Sequence, residues 1–136
     1  MSMIPETESA AYGLALPQWY PYGLPEMLPD NAFNPALASS LVVFSGQCRV
    51  MGVSFTSTKG SSQFIQIFDA SSVPADGAIP LISMAVSLTS NGGVSFTPGG
   101  RWFTRGCVVC NSSTQGSKTI GSADCLFDAQ YIPQVI

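Results

Sequence analysis

Cys48-Arg-Val-Met-Gly-Val-Ser-Phe-Thr-Ser57 is the stretch that decides the fold. Its residues alternate, with Met51, Val53 and Phe55 set to one side and Val50, Gly52 and Ser54 to the other. A period of two marks a strand with one face buried. Asp124-Cys-Leu-Phe-Asp-Ala-Gln-Tyr131 repeats the pattern, with Cys125, Phe127, Ala129 and Tyr131 opposite Asp124, Leu126, Asp128 and Gln130. Half-buried strands of this kind suit an antiparallel sandwich better than a buried parallel sheet.

Working outward, short runs rich in Val, Ile, Phe and Thr predict further strands near Leu41–Phe44, Gln63–Phe68, Leu81–Leu88, Gly93–Phe96, Trp102–Phe103, Cys107–Ser112 and Lys118–Tyr131, the last broken at Gly121. Between them stand turn-forming clusters: Lys59-Gly-Ser-Ser62, Asp76-Gly77, Asn91-Gly-Gly93, Pro98-Gly-Gly100 and Gln115-Gly-Ser117. Helix is confined to a turn or two, between Pro35 and Ser40. The reading is all-β: an antiparallel β-sandwich over residues 39–136, jelly-roll-like rather than immunoglobulin-like, because the Cys…Trp…Cys spacing of antibody domains is missing.

Residues 1–38 differ in kind. They carry six of the ten prolines, the acids Glu6, Glu8, Glu26 and Asp30, no Lys or Arg, and the rings of Tyr12, Trp19, Tyr20, Tyr22 and Phe33. Each proline removes a backbone donor and fixes φ, which argues against a helix or a central strand. The segment is also too aromatic for an ordinary solvated linker. It is predicted to be an extended N-terminal arm. Pro17, Pro21, Pro25 and Pro29 recur every four residues, and Trp19, Tyr20, Tyr22, Leu24, Met27 and Leu28 between them are the expected anchors on a partner surface. Packing across its own β-domain is the competing arrangement.

Only 10% of the chain is charged, whereas 46% is hydrophobic, so a surface covered by neighbours is expected. The arm contributes −4. The body holds five Lys or Arg against four Asp, 5 − 4 = +1, which completes the net −3. No dense basic stripe is present, so nucleic acid is not an expected partner. Neither an export signal nor a run of about 20 apolar residues is visible, and no membrane contact is expected.

The chain has no histidine, which removes the commonest general base and zinc ligand. Cys107-Val-Val-Cys110 is a C-x-x-C in a β-run, where its thiols point to opposite faces and suit neither a vicinal disulfide nor joint metal ligation. With Cys48 and Cys125 they read as small core residues; a Cys48 or Cys125 disulfide and a four-cysteine zinc site are the alternatives. Asp69 and Asp76 read as turn formers rather than a hydrolytic or calcium-binding pair, and Asp124 and Asp128 as a solvated face. No catalytic, cofactor or metal site is expected. Arg101, Trp102 and Arg105 form the candidate interface on the domain: either an exposed ring flanked by guanidinium groups, or a core Trp with two snorkelling arginines.

Ile67-Phe-Asp-Ala-Ser-Ser-Val-Pro-Ala-Asp-Gly-Ala-Ile-Pro-Leu81, Val86-Ser-Leu88, Asn91-Gly-Gly-Val-Ser-Phe96, Pro98-Gly-Gly-Arg-Trp-Phe103 and Gly106-Cys-Val-Val-Cys-Asn-Ser-Ser113 follow one another. This series resembles the small β-sandwich structural proteins of tailed bacteriophages, over about a third of the chain and without the arm. The resemblance implies a non-enzymatic virion component, a head decoration or cement protein or a tail-associated one. On that basis the expected partners are the major capsid protein and other copies of the chain, as a dimer or trimer, at the phage head surface. A tail or surface β-module that recognises a host glycan or receptor through Trp102, Arg101 and Arg105 is the alternative.

Overall fold

The computed structural model describes residues 29–134. The arm anchors Trp19, Tyr20, Tyr22, Leu24, Met27 and Leu28 lie outside the described residues. Within them the chain is all-β and contains no helix. Its strands are β1 (Asp30–Phe33), β2 (Ser40–Ser45), β3 (Cys48–Ser57), β4 (Gln63–Asp69), β5 (Ile82–Val86), β6 (Ser90–Ser95), β7 (Arg101–Phe103), β8 (Gly106–Ser112) and β9 (Cys125–Pro133). They form two antiparallel sheets. One has the order β2-β8-β4-β5; the other has β1-β9-β3-β6, with β7 pairing β3 beyond the end of β6.

The core lies between the sheets. Val53, Phe55, Phe103, Cys125, Phe127 and Ala129 from one meet Val43, Ile65, Ile67, Cys107 and Val109 from the other. The alternation read in β9 is the one observed. In β3 it holds from Val53 to Ser57 and then reverses, because Cys48 and Val50 are also buried. The cause is a β-bulge: Gln130 faces Gly52 and Tyr131 faces Val50, so Met51 is an extra residue on β3. On the other edge of β3 the chain steps from β6 to β7 at the same point. Gly100 makes the step with φ +86°, and a Cβ there would stand 2.8 Å from Met51 Sδ and 2.9 Å from Val50 O.

In the middle of the four-stranded sheet β8 is covered on both faces and buried along its whole length. Val108, Cys110 and Phe68 form a small cluster on its outer side with Ala70 and Ala78. The loops that follow β4 and β8 lie over them. Gln66 Nε2 donates to Thr114 O (2.8 Å) and Gln115 O (3.0 Å), and Lys118, only 3% exposed, donates to Asp76 Oδ1 at 2.7 Å. A correction follows. Lys118–Asp124 is not a strand: Lys118 is drawn inward to Asp76, the backbone pairs with β8 only at the bridge Ser112–Ile120, and the Asn111 side chain takes up Gly121 N and Ser122 O instead.

The segment between Pro35 and Ser40 is not helical either. Ala38 exchanges both backbone bonds with Cys125, at 2.8 and 3.0 Å, and spends on β9 the groups a helical turn would use internally. The sheet thus begins at Asp30, inside the stretch read as arm.

Candidate interaction surface

The first described strand is stitched to the rest of the domain. Asp30–Phe33 pairs with Asp128–Tyr131 at the outer edge of β9. At Pro35 the missing donor ends the ladder, and the side chain of Asn34 continues it. Its Oδ1 accepts from Phe127 N at 2.6 Å, while Nδ2 donates to Cys125 O at 3.0 Å and to Ala36 O at 2.6 Å. A carboxamide has the donor and acceptor of a peptide group, so it occupies one ladder position that proline cannot. Sequence reading passed over Asn34, although Asn-Pro is a boundary signal.

Of the domain candidates, Trp102 is exposed to 52%, and it is Phe103 that fills the core. Cross-strand neighbours share a face. Trp102 stands opposite Arg49 on the outer face of its sheet, and Arg101 stands opposite Val50, whose side chain points inward. The cation over the Trp102 ring is therefore Arg49, 5.5 Å from its centroid. Arg49 Nε is buried and has no hydrogen-bond partner among the described residues. Arg105 is exposed, and its backbone N donates to Asp69 Oδ1 at 2.8 Å. The structure thus keeps Trp102 as a surface residue, adds Arg49, and sends Arg101 to the other side of β7.

Along the same outer face runs an open trough of about 710 Å³ lined by Phe33, Ser54, Thr56, Asn91, Leu126 and Asp128. Phe33 and Leu126 are exposed to 59% and 38%. Gly52, Ser54, Gly93 and Ser95 continue it with small side chains. No loop of the described residues covers this face as loops cover the other sheet.

The acids and thiols have structural occupations. Burial disfavours the charged form of Asp69, but backbone donors from Arg105 and Thr104 and the Thr104 hydroxyl outweigh it and hold the carboxyl below its usual range. Asp76 is lowered by its hydrogen bond from Lys118 and by the one from Ile120 N. Asp124 Oδ1 accepts from Gln63 Nε2 and Asn111 Nδ2, both at 3.1 Å, at one end of the core. All four cysteines are free and buried. Cys107 faces the core and Cys110 the outer cluster, so the C-x-x-C is split across the sheet. Burial pushes Cys48 and Cys110 up to about 11 and Cys125 to about 12, and raises Cys107 as well. Such thiols are poor nucleophiles and poor ligands. Among the described residues no three Cys, Asp or Glu side chains converge as a metal site would require.

No family model, no curated protein and no solved structure matches the chain.

Proposed function

We propose that this chain is a non-enzymatic structural protein of a virion, a cement or decoration protein whose domain sits on the head shell and whose N-terminal arm ties neighbouring coat subunits. The fold proposed with it is a jelly roll. Counting Ser90–Phe103 as one interrupted strand, the chain pairs first with last, second with seventh, third with sixth and fourth with fifth. That nested order over two sheets is what results when a long antiparallel ribbon wraps onto itself, and viral shells and lectins both use it. This warrant is an analogy of fold and does not by itself assign a role.

One observation carries the reading: the arm leaves the domain from a strand stapled to β9 by its ladder and by Asn34. Tension on the arm along β1 would load those bonds together in shear. Linked arm and domain contacts then act by avidity, since each engaged site raises the local concentration of the next. The test compares the full chain with one lacking residues 1–28 for binding to empty capsids. Removing residues 1–38 instead would delete β1 and unfold the edge of the sheet. Loss of binding by a domain that still unfolds in one cooperative transition is expected; equal binding overturns the tie.

The exposure of Trp102 favours a second reading, a module that recognises a host glycan through that ring. Binding on a glycan array that disappears in Trp102→Ala would select it over the first.

A further inference from the structure

Three strand pairings place the start of the described chain and the exposed tryptophan on one row. Asp30 pairs with Tyr131, so Pro29 stands beside Ile132; Ile132 pairs with Arg49, and Arg49 with Trp102. Adjacent strands lie about 4.8 Å apart, so Trp102 is roughly 14 Å from Pro29 across the uncovered outer face, and Arg49 roughly 10 Å. An extended chain covers up to about 3.5 Å per residue. Glu26, three residues before Pro29, therefore reaches Arg49, and Pro25 and Tyr22 reach Trp102.

Charge and shape agree with reach. Residues 1–28 carry Glu6, Glu8 and Glu26 and no Lys or Arg, whereas the row offers the half-buried Arg49, which has no ion-pair partner among the described residues. Proline-rich segments bind on exposed aromatic faces because their extended helix is already formed and loses little entropy. Trp102 is such a face, and Pro21 and Pro25 are spaced along the segment that passes it.

We propose that Arg49 and Trp102 are the docking site for the chain's own segment 20–28, with Glu26 paired to Arg49 and Pro21 to Pro25 lying on the Trp102 ring. The inference concerns the free chain and holds with or without the capsid reading. Within that reading, this is the resting place from which coat subunits displace the arm.

The experiment is chymotrypsin digestion of the full chain, following cuts after Tyr22 and Met27 by mass spectrometry, since Tyr20 and Leu24 each precede a proline and are not cut. Docking protects these bonds. Trp102→Ala and Arg49→Glu are each expected to raise the cleavage rate about tenfold, equivalent to roughly 1.4 kcal/mol. Adding Glu26→Arg to Arg49→Glu restores protection by reversing the pair. Melting curves run alongside; if Arg49→Glu lowers the midpoint, the exposed Trp102→Ala still decides. An unchanged rate in Trp102→Ala overturns the proposal. So does protection that grows with protein concentration, which would put the segment on a second copy.

Discussion

Replacing Asn34 by Ala tests whether a side chain completes the β1 edge. The variant removes three hydrogen bonds of unequal weight. Cys125 O keeps its bond from Ala38 N at 2.8 Å, so it remains satisfied without Asn34 Nδ2. Ala36 is exposed and its carbonyl rehydrates. The cost falls on the Phe127 N–H, which loses its 2.6 Å acceptor on a strand where Phe127 itself is buried. A buried donor left without a partner costs about 1–3 kcal/mol, so a loss of about 2–3 kcal/mol is expected. For a domain of this size that lowers the melting midpoint by roughly 10–20 °C.

Urea unfolding of the full chain measures the loss, and hydrogen exchange locates it, because the Phe127 amide must exchange faster while those of β4 and β8 change only with global stability. Asn34→Asp separates the two halves of the staple. It keeps an acceptor for Phe127 N–H but turns an oxygen toward the Cys125 and Ala36 carbonyls. It is expected to destabilise the protein while leaving the Phe127 amide protected. A cost below about 0.5 kcal/mol for Asn34→Ala, the scale of ordinary surface substitutions, with unaltered Phe127 exchange, would refute the reasoning.

Gly93→Ala is expected to be severe, because a Cβ there lies 2.4 Å from Val53 O, and the β3–β6 pairing must open to admit it. Gly60→Ala meets nothing within 4 Å and should fall within about 0.5 kcal/mol of the parent; equal urea midpoints for the two variants would contradict the packing described here. Asp69 and Asp76 both have folded-state pKa values below their unfolded ones, so their contributions are complete above about pH 4 and vanish as the pH falls through the folded values. The melting temperature should drop in that window, and Asp69→Asn should flatten the drop; a parent protein whose midpoint is level from pH 5 to pH 2 would exclude the linkage. The four thiols should resist a disulfide reagent at pH 8 until denaturant is added, and rapid native labelling of any one would contradict their burial.

What was legible in the sequence were the places where one face of one strand decides. The alternation from Cys125 to Tyr131 is the burial observed, and the opposite facing of Cys107 and Cys110 follows from the same period. The period failed at Val50, where a bulge at Met51 resets it; bulges depend on what the partner strands do, and nothing local to Arg49–Met51 announces one. β1 was illegible for a related reason. Asp30-Asn-Ala-Phe33 has no β-branched residue and is flanked by prolines, and its strand exists because β9 offers an unpaired edge. Arg49 reads as a lone charge in an apolar run, and only the register with β7 sets it under Trp102.

Low charge content invites the inference that neighbours cover the surface, and the fold divides that inference in two. Part of the missing charge is accounted for within the chain, because the loops after β4 and β8 cover the middle of one sheet's outer face. There Phe68, Val108 and Cys110 need no solvating partners. The covering has its own cost: the loop after β4 turns Ile79 outward at 75% exposure, with Val73 and Leu81 also exposed. Among the described residues the second sheet has no such cover, and it carries both the trough and β1. Composition alone therefore does not separate a self-covered face from an open one, whereas burial along each strand does. Phe33 and Leu126 stand exposed there, beside β1, the strand through which the acidic, proline-spaced residues 1–28 join the domain.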